Sequence, residues 1–126
     1  MTITIDQGQY TEDVITNEPY TATCLYNEKD ELERVEWSYG ATEYYKNNSL
    51  ERIEWTDGTV EHYKNNVLHN GNGPARKWAD GTKEYFFEGL LHNTRGPAII
   101  SPGNKNRYFL HGVEISEQEF KNSKHK

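Results

Sequence analysis

Four glutamates recur at matched places in two nearly identical stretches of the sequence. These stretches are LERVEWSYGATEYYKNN at 32–48 and LERIEWTDGTVEHYKNN at 50–66. Paired carboxylates can perform acid–base catalysis when burial shifts the pKa of one of them. We expect these carboxylates to lie on an open sheet face, so no catalytic residue and no enzymatic activity are predicted. The glutamates and the two tyrosines beside them are Glu36, Glu43, Glu54, Glu61, Tyr45 and Tyr63.

The histidines and the cysteine do not form a recognisable ligand set. His69 and His92 each stand four residues before a Gly-Pro pair, and Cys24 is the only cysteine. A structural zinc site needs about four such ligands at suitable spacing. We expect each imidazole to hydrogen-bond its own loop and to pack beside Pro74 or Pro97. Neither a metal nor a cofactor is predicted.

The doubled stretch begins a tandem array. Segments 32–49 and 50–67 are identical at 11 of 18 positions, and two longer copies, 68–90 and 91–113, are identical at 9 of 23. The longer copies equal the shorter ones with five residues inserted near the start. Repeats of this length are typical of stacked supersecondary units.

Each unit holds two turn signals, separated by runs rich in β-branched and aromatic residues. Two-residue hairpin turns need positive φ, which Gly and Asn tolerate. The pattern predicts an all-β fold, an elongated antiparallel β-meander of tandem hairpin repeats with about ten strands. The turn signals are Tyr39-Gly40, Asp57-Gly58, Asp80-Gly81 and Gly103-Asn104, then Asn47-Asn48, Asn65-Asn66, Glu88-Gly89 and His111-Gly112.

Two-residue turns would fix which side chains share a face of the sheet. They place Glu36 opposite Glu43 and Glu54 opposite Glu61, and they place Arg52 opposite Glu43 across the Asn47-Asn48 turn. Because side chains alternate along a strand, the four glutamates, Tyr45 and Tyr63 would form an acidic row on one face. The opposite face would be apolar and would hold Val35, Trp37, Tyr44, Ile53, Trp55 and Val60.

The acidic row is confined to the two shorter copies. In the longer copies the same pairing places Lys77 opposite Glu84 and Ile100 opposite Arg107. Like charges directly opposite in a sheet destabilise it by roughly 0.2–1 kcal/mol per pair. The row could imitate a phosphate backbone or dock on a basic groove. Alternatively, its charge keeps sheets from pairing at their edges.

The segments outside the repeats are predicted to close the array. The chain is expected to form a single domain over 1–126, with an N-terminal strand and cap in 1–31 and four hairpin repeats in 32–113. Residues 20–26 have strand composition. Residues 114–126 contain a capping box, Ser116 followed by Glu119, which predicts a short helix over 116–122 and then a basic tail.

The charge and the composition of the chain limit which partners and which cellular compartment can be predicted. Residues 1–63 hold 14 acidic and 4 basic residues, a net of −10, and residues 64–126 hold 6 acidic and 10 basic residues, a net of +4. This asymmetry favours a basic protein partner or head-to-tail self-association. No stretch approaches the about 20 apolar residues of a membrane span, so no membrane association is predicted. A single cysteine and the lack of a signal-peptide pattern indicate the cytoplasm, which would be a host's cytoplasm for a viral protein.

Direct nucleic-acid binding is disfavoured by the same charge distribution. The aromatic N-terminal half is strongly acidic and would repel phosphate. The C-terminal half could offer only a basic patch, made of Lys64, Arg76, Lys77, Lys83, Arg95, Lys105 and Arg107.

The longer units carry L-H-N-x-x-G-P-A, then D-G-T-K-E-Y, and the array closes with V-x-I-S-E-Q-E-F at Val113–Phe120. This pattern resembles a hairpin repeat of uncharacterised phage, giant-virus and bacterial proteins, and it is similar to MORN-type repeats, which form elongated single-layer sheets. The resemblance is most specific over 68–120, since the two shorter copies lack the insertion. It implies a phage or prophage accessory protein, or a bacterial interaction module, and it implies no catalytic residue.

These observations together predict a non-enzymatic protein-binding repeat module. The first hypothesis is a phage-type accessory protein that binds and inhibits a host protein. A defence complex, in the manner of an anti-CRISPR, or a nucleic-acid-processing complex would be bound through the acidic, phosphate-mimicking face. A second hypothesis is an antitoxin-like or immunity-like module that binds a cognate toxin. A third is a structural module that forms a homo-oligomer through its aromatic face.

Overall fold

A computed structural model describes residues 2–7, 20–103 and 105–123, and residues 2–7 are described by their backbone alone. In this part of the chain antiparallel strands follow one another in consecutive hairpins, and one short helix lies near the C-terminus. The predicted all-β meander with a C-terminal helix is therefore confirmed. The chain divides into two compact units, residues 1–56 and 57–126.

The first unit is an antiparallel meander in which each strand pairs with the one before it. The strand predicted at 20–26 is present with those bounds. An additional strand at the N-terminus was not predicted, since its sequence is too polar to assign; residues 8–19 of the predicted N-terminal cap lie outside the described residues. The strands are β1 (Thr2–Gln7), β2 (Tyr20–Tyr26), β3 (Leu32–Trp37), β4 (Thr42–Lys46) and β5 (Ser49–Glu54).

The second unit has shorter strands, because the five-residue insertions interrupt its hairpins. The order β6-β8-β9-β12 forms one antiparallel sheet, β7 pairs with β6, and β10-β11 and β13-β14 are separate two-stranded ladders. The described part of the chain thus has fourteen strands, against the about ten expected from composition. The strands are β6 (Val60–Lys64), β7 (Val67–Leu68), β8 (Arg76–Lys77), β9 (Lys83–Glu84), β10 (Phe86–Phe87), β11 (Leu90–Leu91), β12 (Ile99–Ile100), β13 (Tyr108–Leu110) and β14 (Val113–Ile115).

The first turn of a repeat is one residue longer than predicted. The amide of Trp37 donates to the carbonyl of Ala41 (2.9 Å), and the amide of Gly40 donates to the carbonyl of Trp37 (2.9 Å). Gly40 has φ +111°, and Tyr39 is not among the residues with positive φ. This is a three-residue loop with a bulged glycine. The same hydrogen bonds close the loop between Trp78 and Thr82.

The second turn of a repeat has two residues, as predicted. Asn47 and Asn48 both have positive φ (51° and 62°), as do Asn65 and Asn66 (53° and 65°). Positive φ at both central residues is the requirement of a type I′ hairpin turn. A β-bulge at Glu51 then follows in the strand that leaves the first of these turns.

Both irregularities move the register by one residue. Glu36 pairs with Thr42, and Glu43 lies between Val35 and Ile53. The predicted Glu36–Glu43 and Glu43–Arg52 pairings are therefore wrong. The pairings predicted in the longer copies are wrong for the same reason: Arg76 pairs with Glu84, Lys77 with Lys83, and Ile99 with Arg107.

A one-residue shift transfers side chains between faces. We name the side of the first unit that carries Val35 its core face, and the side that carries Glu36 its outer face. Glu43 and Tyr45 lie on the core face, and Tyr44 lies on the outer face. In the second unit, the outer face is the side that carries the Lys77–Lys83 pair.

Each unit has a small core. In the first unit Ala22, Cys24 and Val35 are buried, and half-buried aromatic rings pack against them. In the second unit the core is Ala98, Ile99 and Phe109. Aromatic rings thus supply much of the buried surface in a chain that is only 33% hydrophobic.

The predicted capping box is confirmed. The amide of Glu119 donates to Ser116 Oγ (3.0 Å), and the amide of Ser116 donates to Glu119 Oε1 (2.9 Å). Helix α1 spans Glu117–Ser123, and its Phe120 ring lies 4.9 Å from the Tyr108 ring, which anchors the helix to β13. The predicted tail beyond residue 123 lies outside the described residues.

Two glycine substitutions separate turn strain from crowding. A side chain at either Gly40 (φ +111°) or Gly58 (φ +95°) would be strained, but a Cβ at Gly40 would also overlap the Thr56 methyl group, whereas the space at Gly58 is open. We expect Gly58→Ala to lower the free energy of unfolding by about 1 kcal/mol. Gly40→Ala should cost about 1–3 kcal/mol more. Urea unfolding measures both, and equal losses would contradict the Gly40–Thr56 contact.

Candidate interaction surfaces

The outer face of the first unit carries two glutamates of the predicted acidic row, but each has an arginine partner. Arg34 Nε lies 2.9 Å from Glu36 Oε2, and Arg52 Nε lies 3.2 Å from Glu54 Oε2. The Arg52 guanidinium also stacks 4.1 Å above the Tyr44 ring. These side chains are about half-exposed, so this face presents alternating charges of both signs.

The other two glutamates are directed elsewhere. Glu43, on the core face, accepts a hydrogen bond from the Tyr45 hydroxyl (3.1 Å), and Glu61 accepts one from the Tyr63 hydroxyl (3.1 Å). Glu61 is buried, with 8% of its surface exposed. The prediction of four carboxylates in one exposed row is therefore wrong. The Glu-x-Tyr spacing, shared by both copies, is the sequence signal that identifies these two glutamates.

Glu61 belongs to an ion triad in the second unit. Arg76 Nε donates to Glu61 Oε2 (2.8 Å), and Arg76 Nη1 donates to Glu84 Oε1 (2.9 Å). The three residues lie on adjacent strands β6, β8 and β9. An arginine fork that binds two carboxylates fixes the alignment of all three strands. Arg76 is thereby engaged within the chain.

The predicted apolar face is only partly formed. Val35 and Ile53 are buried, and Trp37 packs against the core of the first unit. Tyr44 lies on the outer face, and Trp55 is 40% exposed. Val60 pairs with Lys77 and so lies on the outer face of the second unit. The one-residue shift of the turns explains why Tyr44 and Val60 do not join the others.

Exposed aromatic surface in the first unit lies beside its three-residue turn. Tyr39 stacks on Trp37, with 5.8 Å between ring centroids, and meets Tyr20 edge-on at 5.2 Å. Because Tyr39 remains 46% exposed, this cluster leaves aromatic surface in contact with solvent.

A longer exposed apolar strip follows the type I′ turns of the second unit. We define the apolar strip as Val67, Phe87, Leu90 and Val113, which are 40%, 45%, 50% and 63% exposed. Val67, Leu90 and Val113 occupy the same position in successive repeats. A Cβ added at Gly89 would lie 3.3 Å from Val67, and one added at Gly112 would lie 3.3 Å from Leu90. Each turn glycine thus allows close contact between neighbouring repeats, which makes the strip continuous.

The equivalent position of the two histidines in their repeats is explained by a hydrogen bond to the second turn of the same repeat. His69 Nδ1 accepts a hydrogen bond from the amide of Glu88 (2.9 Å), and His92 Nδ1 accepts one from the amide of His111 (2.9 Å). The expectation that each histidine binds its own loop is therefore wrong. The insertion loops are held by asparagines: Asn70 Nδ2 donates to the carbonyl of Pro74 at 3.0 Å.

The histidine rings form a column beside the apolar strip. Ring centroids lie 4.7 Å apart between His69 and Phe87, 6.0 Å between Phe87 and His92, and 4.3 Å between His92 and His111. No group of three or more His, Cys, Asp or Glu side chains is placed to bind a metal within residues 20–103 and 105–123. Within the column, the Phe87–His92 contact joins two neighbouring repeats, and each histidine hydrogen bond lies within one repeat.

The two insertion loops border a groove of about 540 Å³. Its walls include Tyr85, Phe86, Phe87 and Arg95, together with loop glycines. In the part of the chain that the structure describes, no helix is long and apolar enough to cross a membrane.

Comparison with known proteins finds no matching family model, no matching curated protein and no matching solved structure. The resemblance to hairpin-repeat proteins of phages, giant viruses and bacteria therefore stays a prediction.

Removing the arginine of the ion triad tests its contribution to stability. Arg76→Met should lower the free energy of unfolding by about 3 kcal/mol, because two adjacent carboxylates lose their shared cation. Lys77→Met, next along the strand and exposed, should change it by less than about 0.5 kcal/mol. Adding Glu61→Gln and Glu84→Gln to Arg76→Met should recover part of the loss. Equal effects of Arg76→Met and Lys77→Met in urea unfolding would show that the triad does not stabilise the fold.

Alkaline pH tests the placement of Tyr45 beside Glu43. Burial, the Glu43 charge and the hydrogen bond to Glu43 raise the pKa of Tyr45 from 10.0 to about 12. The folded state therefore holds this proton more tightly than the unfolded state does. This stabilisation is complete below pH 10 and is lost as the pH rises through 12. The stability difference between wild type and Tyr45→Phe should shrink from pH 10 to 12 in urea unfolding; a constant difference would contradict the contact.

Proposed function

We propose that the protein is a non-enzymatic protein-binding repeat module whose apolar strip contacts the partner. The observation that carries this proposal is the continuous exposure of Val67, Phe87, Leu90 and Val113 along one side of the second unit. Isolated exposed apolar residues are normal, but contiguous ones with a polar border mark interaction sites. Here Lys64, His69 and Glu88 supply the polar border, and they line a small cavity with Val67.

The composition of the strip fits a protein partner. An aromatic ring and branched aliphatic side chains at the centre, with charged and imidazole groups around them, match the anatomy of protein interfaces. The backbone beneath the strip is regular, since the strip residues flank turns whose φ angles and hydrogen bonds are the same in successive repeats. A surface that is already ordered loses less conformational entropy when it binds.

We further propose the role that the sequence resemblance implies, an accessory protein that binds and blocks a host protein. The acidic row was the reason to expect a target with a basic, nucleic-acid-binding channel. With Glu43 on the core face and Glu61 buried in an ion triad, that reason no longer applies. The proposal therefore specifies a partner with an exposed apolar site, and it does not include phosphate mimicry.

Site-specific photocrosslinking tests the proposal. The photoreactive residue p-benzoylphenylalanine would replace Phe87 in the strip or, as a matched control, Trp78, which is in the same unit and is 41% exposed. In bacterial cells we expect a covalent adduct of one defined mass from position 87 and none from position 78. Mass spectrometry then identifies the partner.

The purified pair gives the decisive measurement. Leu90→Asp should weaken binding to the identified partner by at least about 10-fold, since a charge would be buried at the centre of the contact. Trp78→Asp should leave the affinity within about twofold. Adducts of similar yield at both positions, or an affinity that Leu90→Asp does not change, would overturn the assignment of the strip.

A further inference from the structure

The outer face of the second unit holds two lysines in an unfavourable position. Lys77 and Lys83 pair directly across strands β8 and β9, and both are exposed. Like charges placed opposite each other cost roughly 0.2–1 kcal/mol. Neither lysine forms an ion pair within residues 20–103 and 105–123. Among the described side chains, the two adjacent cations therefore have no ion-pair partner.

The lysines have apolar neighbours on both sides. Val60 pairs with Lys77, and Ile100 pairs with Lys83, and both aliphatic side chains are half-buried. On this face, the two lysines of β8 and β9 therefore lie between an aliphatic side chain of β6 and an aliphatic side chain of β12. Two charges with an apolar border suit a partner that offers carboxylates and can exclude water around them.

The negative charge of the chain is concentrated in the first unit. Residues 1–56 hold 12 acidic and 4 basic residues, a net of −8, and residues 57–126 hold 8 acidic and 10 basic residues, a net of +2. In the longer copies two of the three arginines are engaged with glutamates, because Arg76 binds Glu61 and Glu84, and Arg107 binds Glu114 at 2.8 Å. Lys77 and Lys83 are directly paired across strands and are among the cations without an ion pair in the described residues.

Two of the carboxylates are presented by β-bulges. The strand pairing passes from Leu32 to Arg34 and from Leu50 to Arg52, so Glu33 and Glu51 are the extra residues of equivalent bulges. Both are exposed, and with Glu31 they line one shallow groove of about 370 Å³. No ion pair engages Glu33 or Glu51 in the described part of the chain.

We propose that the Lys77–Lys83 pair binds the bulge carboxylates Glu33 and Glu51 of a second copy of this chain. Complementary charge is the argument for this occupant, since the first unit has a net charge of −8 and the second unit has a net charge of +2. The contact joins different surfaces of the two copies, so it is heterologous and can add further copies in the same direction. It uses neither the apolar strip nor the proposed host partner, and it goes beyond the proposed function.

Charge reversal in two variants tests this contact. Lys77→Glu/Lys83→Glu makes both surfaces acidic, and Glu33→Lys/Glu51→Lys makes both basic. Sedimentation velocity at about 20 mM salt, where screening is weak, should show that the wild type associates beyond its 14.7 kDa monomer mass as concentration rises. Each variant alone should remain monomeric at concentrations at least about 10-fold higher. An equimolar mixture of the two variants should associate again, because reversed lysines then meet reversed glutamates.

The mixture separates electrostatic docking from damage to the fold, because misfolded variants would not restore association. Wild-type association should also weaken about 10-fold or more at about 0.5 M salt. A wild type that stays at monomer mass at millimolar concentration would overturn the proposal, and so would a mixture that fails to associate. Retention of a single-stranded oligonucleotide by the lysines, without self-association, would assign the pair to phosphate and overturn the second-copy assignment. Crosslinking at Phe87 is independent of all these outcomes.

Discussion

Each repeat contains two turns, and the structure depends on the lengths of these turns. Turn length decides whether the apolar side chains of successive strands lie on the same face of the sheet. The turn at the Trp-x-x-Gly segment has three residues and a bulged glycine, with φ +111° at Gly40. The turn at Asn47-Asn48 has two residues, and a bulge at Glu51 follows it. Because side chains alternate along a strand, one extra residue reverses every face beyond it. The bulge returns Ile53 to the core face, which allows the next hairpin to extend the same core.

The bulge also explains the sequence order of each short copy. Leu32 and Val35 both pack in the core of the first unit although they are three residues apart. The bulge at Glu33 makes this spacing possible, since it directs Glu33 and Arg34 away from the core together. A bulged strand with one buried face needs two consecutive polar residues between two aliphatic residues. The Glu-Arg pair of each short copy meets this requirement.

The same register brings glutamate to the core face, where it must have a partner. In the first unit the cross-strand neighbours of Glu43 are Val35 and Ile53, which offer no hydrogen bond, so Tyr45 donates one instead. In the second unit the position equivalent to Val35 is Arg76, which binds two glutamates at once. Buried ion pairs add little net stability, but removal of one member is costly. The triad therefore specifies strand alignment more than it stabilises the sheet.

Local signals in the sequence were enough for the repeats, the positions of the turns, the strand Tyr20–Tyr26 and the capping box at Ser116. Which side chains share a face of the sheet could not be predicted in the same way, because Asp-Gly is compatible with both a two-residue and a three-residue turn. Asp57 and Asp80 each accept a hydrogen bond from the amide two residues later (2.8 Å), an arrangement typical of Asx turns. This hydrogen bond identifies the three-residue turn only in the folded chain. Because the turn is one residue longer than predicted, the four glutamates do not form one acidic row.

One outer-face position changes the sign of its charge between the repeats. The outer-face position held by Glu36 and Glu54 in the first unit is held by Lys77 in the second, although the backbone turns around it are the same. The apolar strip varies in exposure along the array: Val67 and Leu90 contact the glycine of the following type I′ turn, whereas Val113, the first residue of β14, is the most exposed. A stacked array buries each repeat against the next, so its last hairpin keeps an apolar surface that its own fold does not cover. Under the proposed function, recognition follows from this architecture: the core positions maintain the array, and the exposed side chains of the last hairpin meet the partner.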